Sequence, residues 1–167
     1  MTKSMHGKEA IRSAMGLSDM VYTSYLGDME DAELMLRPAP GCNHLAWQTG
    51  HLIASEVSLL KSICPDTATE LPEGFAEAHG KENIDCDDAS KFCSKDEYLA
   101  LMKKVRETSL AALDAITDEQ LAAASPEQFQ PWCPTVGAVF VLIGSHALMH
   151  SGQVVPVRRQ LGKPVVI

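Results

Sequence analysis

The stretch VGAVFVLIGSHALMHSGQVVPVRRQL, Val136 to Leu161, decides the fold. Val136, Val139, Phe140, Ile143, His146, Ala147, His150, Val154, Val157 and Leu161 recur in steps of three and four, the period of one helix face turned to a core. His146 and His150 lie on that stripe, one turn and about 6 Å of rise apart, so both imidazoles can reach a single metal ion. The same spacing also serves core histidines bonded to nearby carbonyls. A zinc protease would place Glu directly after the first histidine as its general base, and Ala147 there speaks against that class. Thr135 is suited to cap the helix, and Gly162 followed by Lys163-Pro164 to stop it. Pro156 predicts a kink rather than an end, because the residue four back, Gly152, has no side chain.

Working outward, Lys8–Met29 reads as a first helix with a broad apolar side that includes Ile11, Met15, Tyr22 and Leu26. Asn43 is placed to cap a second helix that runs to about Cys64, where Pro65 stops it. His44 and His51 share a face of this helix but lie about 10.5 Å apart in rise, so at most one can join a small coordination sphere. Residues 65–93 are rich in Pro, Gly, Asp, Glu and Asn, with a short patterned piece from Gly74 to His79. A connection this long inside one domain predicts a crossover returning along the second helix, which would leave helices two and three parallel. His79, Cys86 and Cys93 within it match no zinc-ligand spacing and read as loop residues. Ser94-Lys95-Asp96-Glu97 is a capping box that opens the third helix, with Lys103, Lys104, Arg106 and Glu107 expected on its wet side. Thr117-Asp118-Glu119-Gln120 repeats the capping logic for a turn or two. The fold class is therefore all-α, a four-helix bundle in one domain spanning residues 1–167.

Composition narrows the function. The 167 residues, 46% of them hydrophobic, suffice for one well-buried core. A net charge of -8 disfavours nucleic-acid partners, which call for a basic stripe. Five cysteines without a C-x-x-C pair argue against a disulfide framework and for a reducing cytoplasm. Met1–Ala10 has no apolar signal core, and the run Ala138–Ile143 is shorter than a membrane span, so no membrane association is expected.

Set side by side, Trp47-Gln48-Thr49-Gly50-His51-Leu52, His146-Ala147-Leu148-Met149-His150-Ser151-Gly152-Gln153 and Leu161-Gly162-Lys163-Pro164 resemble the DinB-like family of metalloenzymes. That family is distinct from the similarly named DNA polymerase. The resemblance runs over essentially the whole chain and implies an up-down-down-up bundle, with His51, His146 and His150 as ligands of a divalent metal and His44 left out. It also implies a homodimer and a small-molecule substrate. Characterised branches of the family are transferases using bacillithiol, mycothiol or glutathione, together with a mycothiol-dependent isomerase. The expected activity is thus transfer of a low-molecular-weight thiol activated on the metal, with a metal-dependent hydrolase or a non-catalytic metal-binding bundle as the alternatives. A three-histidine ligand set leaves a coordination position open, as catalytic sites do. Imidazole suits zinc, nickel, copper and iron, zinc or nickel being the first expectation.

Several neighbours carry two readings. Gln48 and Gln153 could orient a ligand or line a seam between helices. Trp47 and Trp132 could border the pocket or simply pack, and Arg158 and Arg159 could bind a carboxylate-bearing thiol or, as the first expectation, stand as exposed charges complementing the helix dipole. Tyr22, Tyr25 and Met29 are candidates for the dimer surface, with burial inside the monomer as the other reading.

Overall fold

The computed structural model describes residues 6–67 and 69–165. Seven α-helices follow one another among them: α1 Gly7–Leu26, α2 Asp31–Leu34, α3 Leu45–Ile63, α4 Phe75–Ala78, α5 Lys95–Ala115, α6 Asp118–Ala122 and α7 Val136–Gln160. The four long ones, α1, α3, α5 and α7, form the bundle. Their directions follow from the contacts at their ends. Arg158 near the end of α7 reaches Tyr25 and Asp28 at the end of α1, so these two helices run parallel. Lys8 and Arg12 at the start of α1 bond to Ile116 and Asp114 at the end of α5, so that pair is antiparallel. Ile63 and Cys64 share a hollow with Ala112 and Ile116, which makes α3 and α5 parallel. The order is up-down-down-up, and a parallel pair of sequential helices requires the crossover anticipated over residues 65–93.

The capping residues read from the sequence act as expected at three starts. Ser94 and Thr117 form capping boxes with Glu97 and Gln120, and Thr135 accepts from the amide of Ala138. At α3 the cap is His44 rather than Asn43: its Nδ1 accepts the amide of Trp47 at 3.0 Å, while the Asn43 carbonyl takes the side-chain amide of Gln48. Helix α1 ends at Leu26, before the expected Met29, because Glu30 starts α2 in a reciprocal box with Glu33. Helix α7 continues through Pro156 to Gln160. Gly162, at φ +68°, then closes it, with its amide on the Arg159 carbonyl and that of Lys163 on the Arg158 carbonyl. With 25 residues, α7 is also long and apolar enough to cross a membrane, which the shorter run in the sequence did not show. Here it serves as a core helix, with Val139, Phe140, Val154 and Val157 at 0% exposure.

Two surface readings are corrected by burial. Tyr22, Tyr25 and Met29 belong to the monomer core, packed with Leu26, Leu34 and Tyr98, so they cannot form a dimer surface. Arg158 is 1% exposed: it forms a two-pronged pair with Asp28, donates to the carbonyls of Tyr25 and Pro164, and lies over the Tyr25 ring. The local signal was its place at steps of three and four from Ser151, Val154 and Leu161, on the core stripe.

Candidate metal centre

Helices α3 and α7 bring His51, His146 and His150 together, and one ring nitrogen from each lies within 4.8 Å of the others. Ring centroids are 5.4 Å apart for His51–His146, 5.7 Å for His51–His150 and 5.0 Å for His146–His150. His146 and His150 are one turn apart on the α7 stripe, and antiparallel packing places His51 opposite them. No other histidine, cysteine or acidic residue among the described residues joins the group. The donor set fits a divalent cation: three imidazoles can close half or more of its coordination shell and leave a position for an exchangeable ligand.

The surroundings fix both tautomer and ring orientation. Gln48 is fully buried, and its amide nitrogen donates to the Asn43 carbonyl at 2.7 Å, so its oxygen must face His150. His150 Nδ1 donates to that oxygen at 3.0 Å, which leaves Nε2 with its lone pair free for a metal. Of the two glutamines singled out, Gln48 therefore orients His150, whereas Gln153 is exposed. Trp47 is buried and stacks on His51 with centroids 4.8 Å apart and planes within 7°. Its indole N–H donates to the Gly80 carbonyl of the crossover at 3.1 Å, so the crossover holds the ring that holds His51. Trp132 is 61% exposed and has no part in this.

His44 is excluded by its bonds as well as by its reach. Besides capping α3 through Nδ1, it donates from Nε2 to the Cys86 carbonyl at 3.0 Å. His79 is more than a loop residue: it is 3% exposed, donates from Nδ1 to the Phe75 carbonyl and accepts the Tyr98 hydroxyl on Nε2, each at 2.7 Å. Its ring lies against the α3 backbone at Gly50, where a Cβ would fall 2.0 Å from Cδ2. The sequence could not show that Gly50 in the WQTGHL stretch exists to seat this ring.

Burial and mutual repulsion push His146 and His150 down to about 4, and burial moves His51 the same way. All three are neutral at pH 7 and need lose no proton to bind a metal. The same shifts carry a stability consequence. A histidine with a depressed folded pKa contributes stability that is complete above its unfolded value of about 6.5 and is lost as pH falls towards the folded value. The metal-free protein should therefore lose melting temperature between pH 6.5 and about 4, and lose less of it when His146 and His150 are both glutamine. Identical profiles for the two proteins would contradict the buried neutral pair. A second expectation concerns Gln48→Leu, which removes the acceptor for His150 and should weaken zinc binding roughly 10–100-fold with helical content unchanged. A chelator-competition titration measures it.

Three charged residues missed by sequence reading lie beside His146. Arg106, expected on the wet side of its helix, is 4% exposed and pairs with Glu56 at 3.0 Å, with Asp19 facing it at 3.5 Å. The signal was present: Met15-Asp19-Tyr22, Leu52-Glu56-Leu59 and Met102-Arg106-Ser109 each follow steps of four and three along a buried stripe.

The fold is shared with solved structures. A conserved protein from Enterococcus faecalis superposes with TM-score 0.68 at 22% identity, covering 96% of this chain and 100% of its own. YfiT from Bacillus subtilis, described as a probable metal-dependent hydrolase with an unusual four-helix bundle topology, gives TM-score 0.67 at 18% identity, covering 98% and 92%. No curated protein matches by sequence. The family model for the DinB superfamily matches residues 17–154, a span that runs from inside α1 to inside α7 and takes in His51, His146 and His150, and the chain belongs to that superfamily.

Proposed function

We propose that this protein is a divalent-metal-dependent enzyme, with the ion held by His51, His146 and His150, and that it joins a low-molecular-weight thiol to an electrophilic small molecule. The observation that carries this reading is the donor set: three neutral imidazoles with no fourth protein ligand among the described residues. A metal bound there would acidify a thiol or a water entering its open position, supplying a nucleophile at neutral pH. The chain's own part is to keep the imidazoles neutral by burial, to fix His150 through Gln48 and to fix His51 through Trp47.

Hydrolysis by water in the same position is the second reading, favoured by the description of YfiT as a probable metal-dependent hydrolase. One screen separates them. Bacillithiol, mycothiol and glutathione are each incubated with the metal-loaded protein and a generic electrophile, beside an activated ester without thiol, with and without chelator. Chelator-sensitive thiol consumption supports the transferase. Chelator-sensitive ester cleavage alone moves the assignment to a hydrolase, and neither activity in a metal-loaded protein leaves a binding role.

The expected homodimer is also retained as a proposal, transferred from Tyr22, Tyr25 and Met29 to the outer sides of α1 and α7. Leu17 and Met20 on α1 and Val141, Leu148 and Met149 on α7 are exposed although these two helices pack along each other. Light scattering at micromolar concentration should give twice the mass of one chain, and the mass of a single chain would refute it.

A further inference from the structure

Asp19 on α1, Glu56 on α3 and Arg106 on α5 meet inside the bundle beside His146. Glu56 is engaged on both sides: one carboxylate oxygen forms an ion pair with Arg106 Nη2 at 3.0 Å and the other accepts the Ser109 hydroxyl at 2.7 Å. Asp19 is not. Its Oδ1 forms only an ion pair with Arg106 Nε at 3.5 Å, and Asp19 Oδ1, Arg106 Nε and Arg106 Nη1 are all buried without a hydrogen-bond partner. Buried polar atoms are nearly always satisfied, and three together on two facing side chains call for a bridging group.

The space for one is there. Asp19, Glu56, Arg106 and His146 share the lining of a small void of about 10 Å³, otherwise apolar, which is about the room a single water needs. His146 also lacks something its companions have. His150 donates to Gln48 and His51 has the Ser55 hydroxyl at 3.4 Å, whereas no hydrogen bond to the His146 ring is present among the described residues. A metal-bound histidine almost always gives its second ring N–H to an acceptor that orients it.

We propose that the void is a water site linking His146 to the Asp19–Arg106 pair, which makes Asp19 and Arg106 positioning residues of the metal centre. The water accepts from Arg106 Nη1 and from the outward N–H of His146, and donates to Asp19 Oδ1. Three polar partners are the usual complement of a buried water. Two carboxyl groups face one guanidinium beside a cation whose protein ligands are all neutral, and burial pushes both carboxyls up. Helix α1, which carries no ligand, is thereby joined to the site.

The proposal rests on the metal reading above, and the test separates the two. Zinc affinity is measured by chelator competition for the wild type and for Asp19→Asn, which keeps the shape and removes the charge. The variant should bind zinc roughly 10–100-fold more weakly. Its metal-free melting curve and helical content are recorded alongside. A lower melting temperature with wild-type zinc affinity would mean a purely structural cluster and would overturn the proposal while leaving the three-histidine site intact. A wild type that binds no zinc would remove both. Should Asp19→Asn fail to fold, proton–nitrogen correlation spectra of the zinc-loaded wild type decide instead. A His146 ring N–H slow to exchange, with cross-relaxation to a buried water, is expected, and a rapidly exchanging one overturns the proposal.

Discussion

Gly50→Ala should destabilise the protein by about 3 kcal/mol, the upper part of the range for forcing atoms into a packed core. The added Cβ would fall 2.0 Å from Cδ2 and 2.1 Å from Nε2 of His79. That ring cannot swing aside cheaply, because the Phe75 carbonyl and the Tyr98 hydroxyl hold both of its nitrogens in a buried site. For a domain of this size the cost corresponds to a drop of roughly 10 °C in melting temperature. The effect should also reach the metal centre, since a displaced crossover loosens the Gly80 carbonyl from Trp47 and with it the indole stacked on His51. Pairing Gly50→Ala with His79→Ala should recover part of the loss, a coupling expected of residues in direct contact. A single variant melting within a degree of the wild type would show that the crossover is not seated as described.

His146→Ala is expected to remove stoichiometric metal from the purified protein. Two imidazoles remaining on different helices make a site well below the ligand number that a divalent ion requires for tight binding. The loss should exceed that from Gln48→Leu, because Gln48 acts only through the orientation of His150. Helical content should be preserved, since His146 is half-buried and its ring holds no hydrogen bond that the bundle depends on. Metal content measured by elemental analysis checks this, and equal content in both proteins would contradict the ligand assignment.

The long helices were legible because each carries apolar residues in steps of three and four over many turns, and the starts at Ser94, Thr117 and Thr135 because capping is a local signal. The histidine-bearing face of α7 was legible for the same reason. Choosing His51 over His44 came from the family resemblance; the two backbone bonds that occupy His44 could not be read from the sequence. The buried charges were not recognised. Asp19, Glu56, Arg106 and Arg158 sit on core stripes, yet a charged residue there is normally read as solvated, and what makes burial tolerable comes from other helices far along the chain. His79 and Gly50 escaped for a related reason. Their meaning lies in one contact between a crossover without periodicity and a helix that shows a glycine only as a weakness. Tyr22, Tyr25 and Met29 could not be divided between core and interface from a single helix, since both demand the same residue types.

The central claim is that three histidines from two helices hold one metal ion, and X-ray absorption on the metal-loaded protein tests it most directly. With zinc, one ion per chain should show a nitrogen and oxygen first shell near about 2.0–2.1 Å containing three imidazoles and no sulfur in the absence of added thiol. A sulfur neighbour near about 2.3 Å, or a spectrum unchanged in the His146→Ala variant, would place the metal elsewhere and contradict the account.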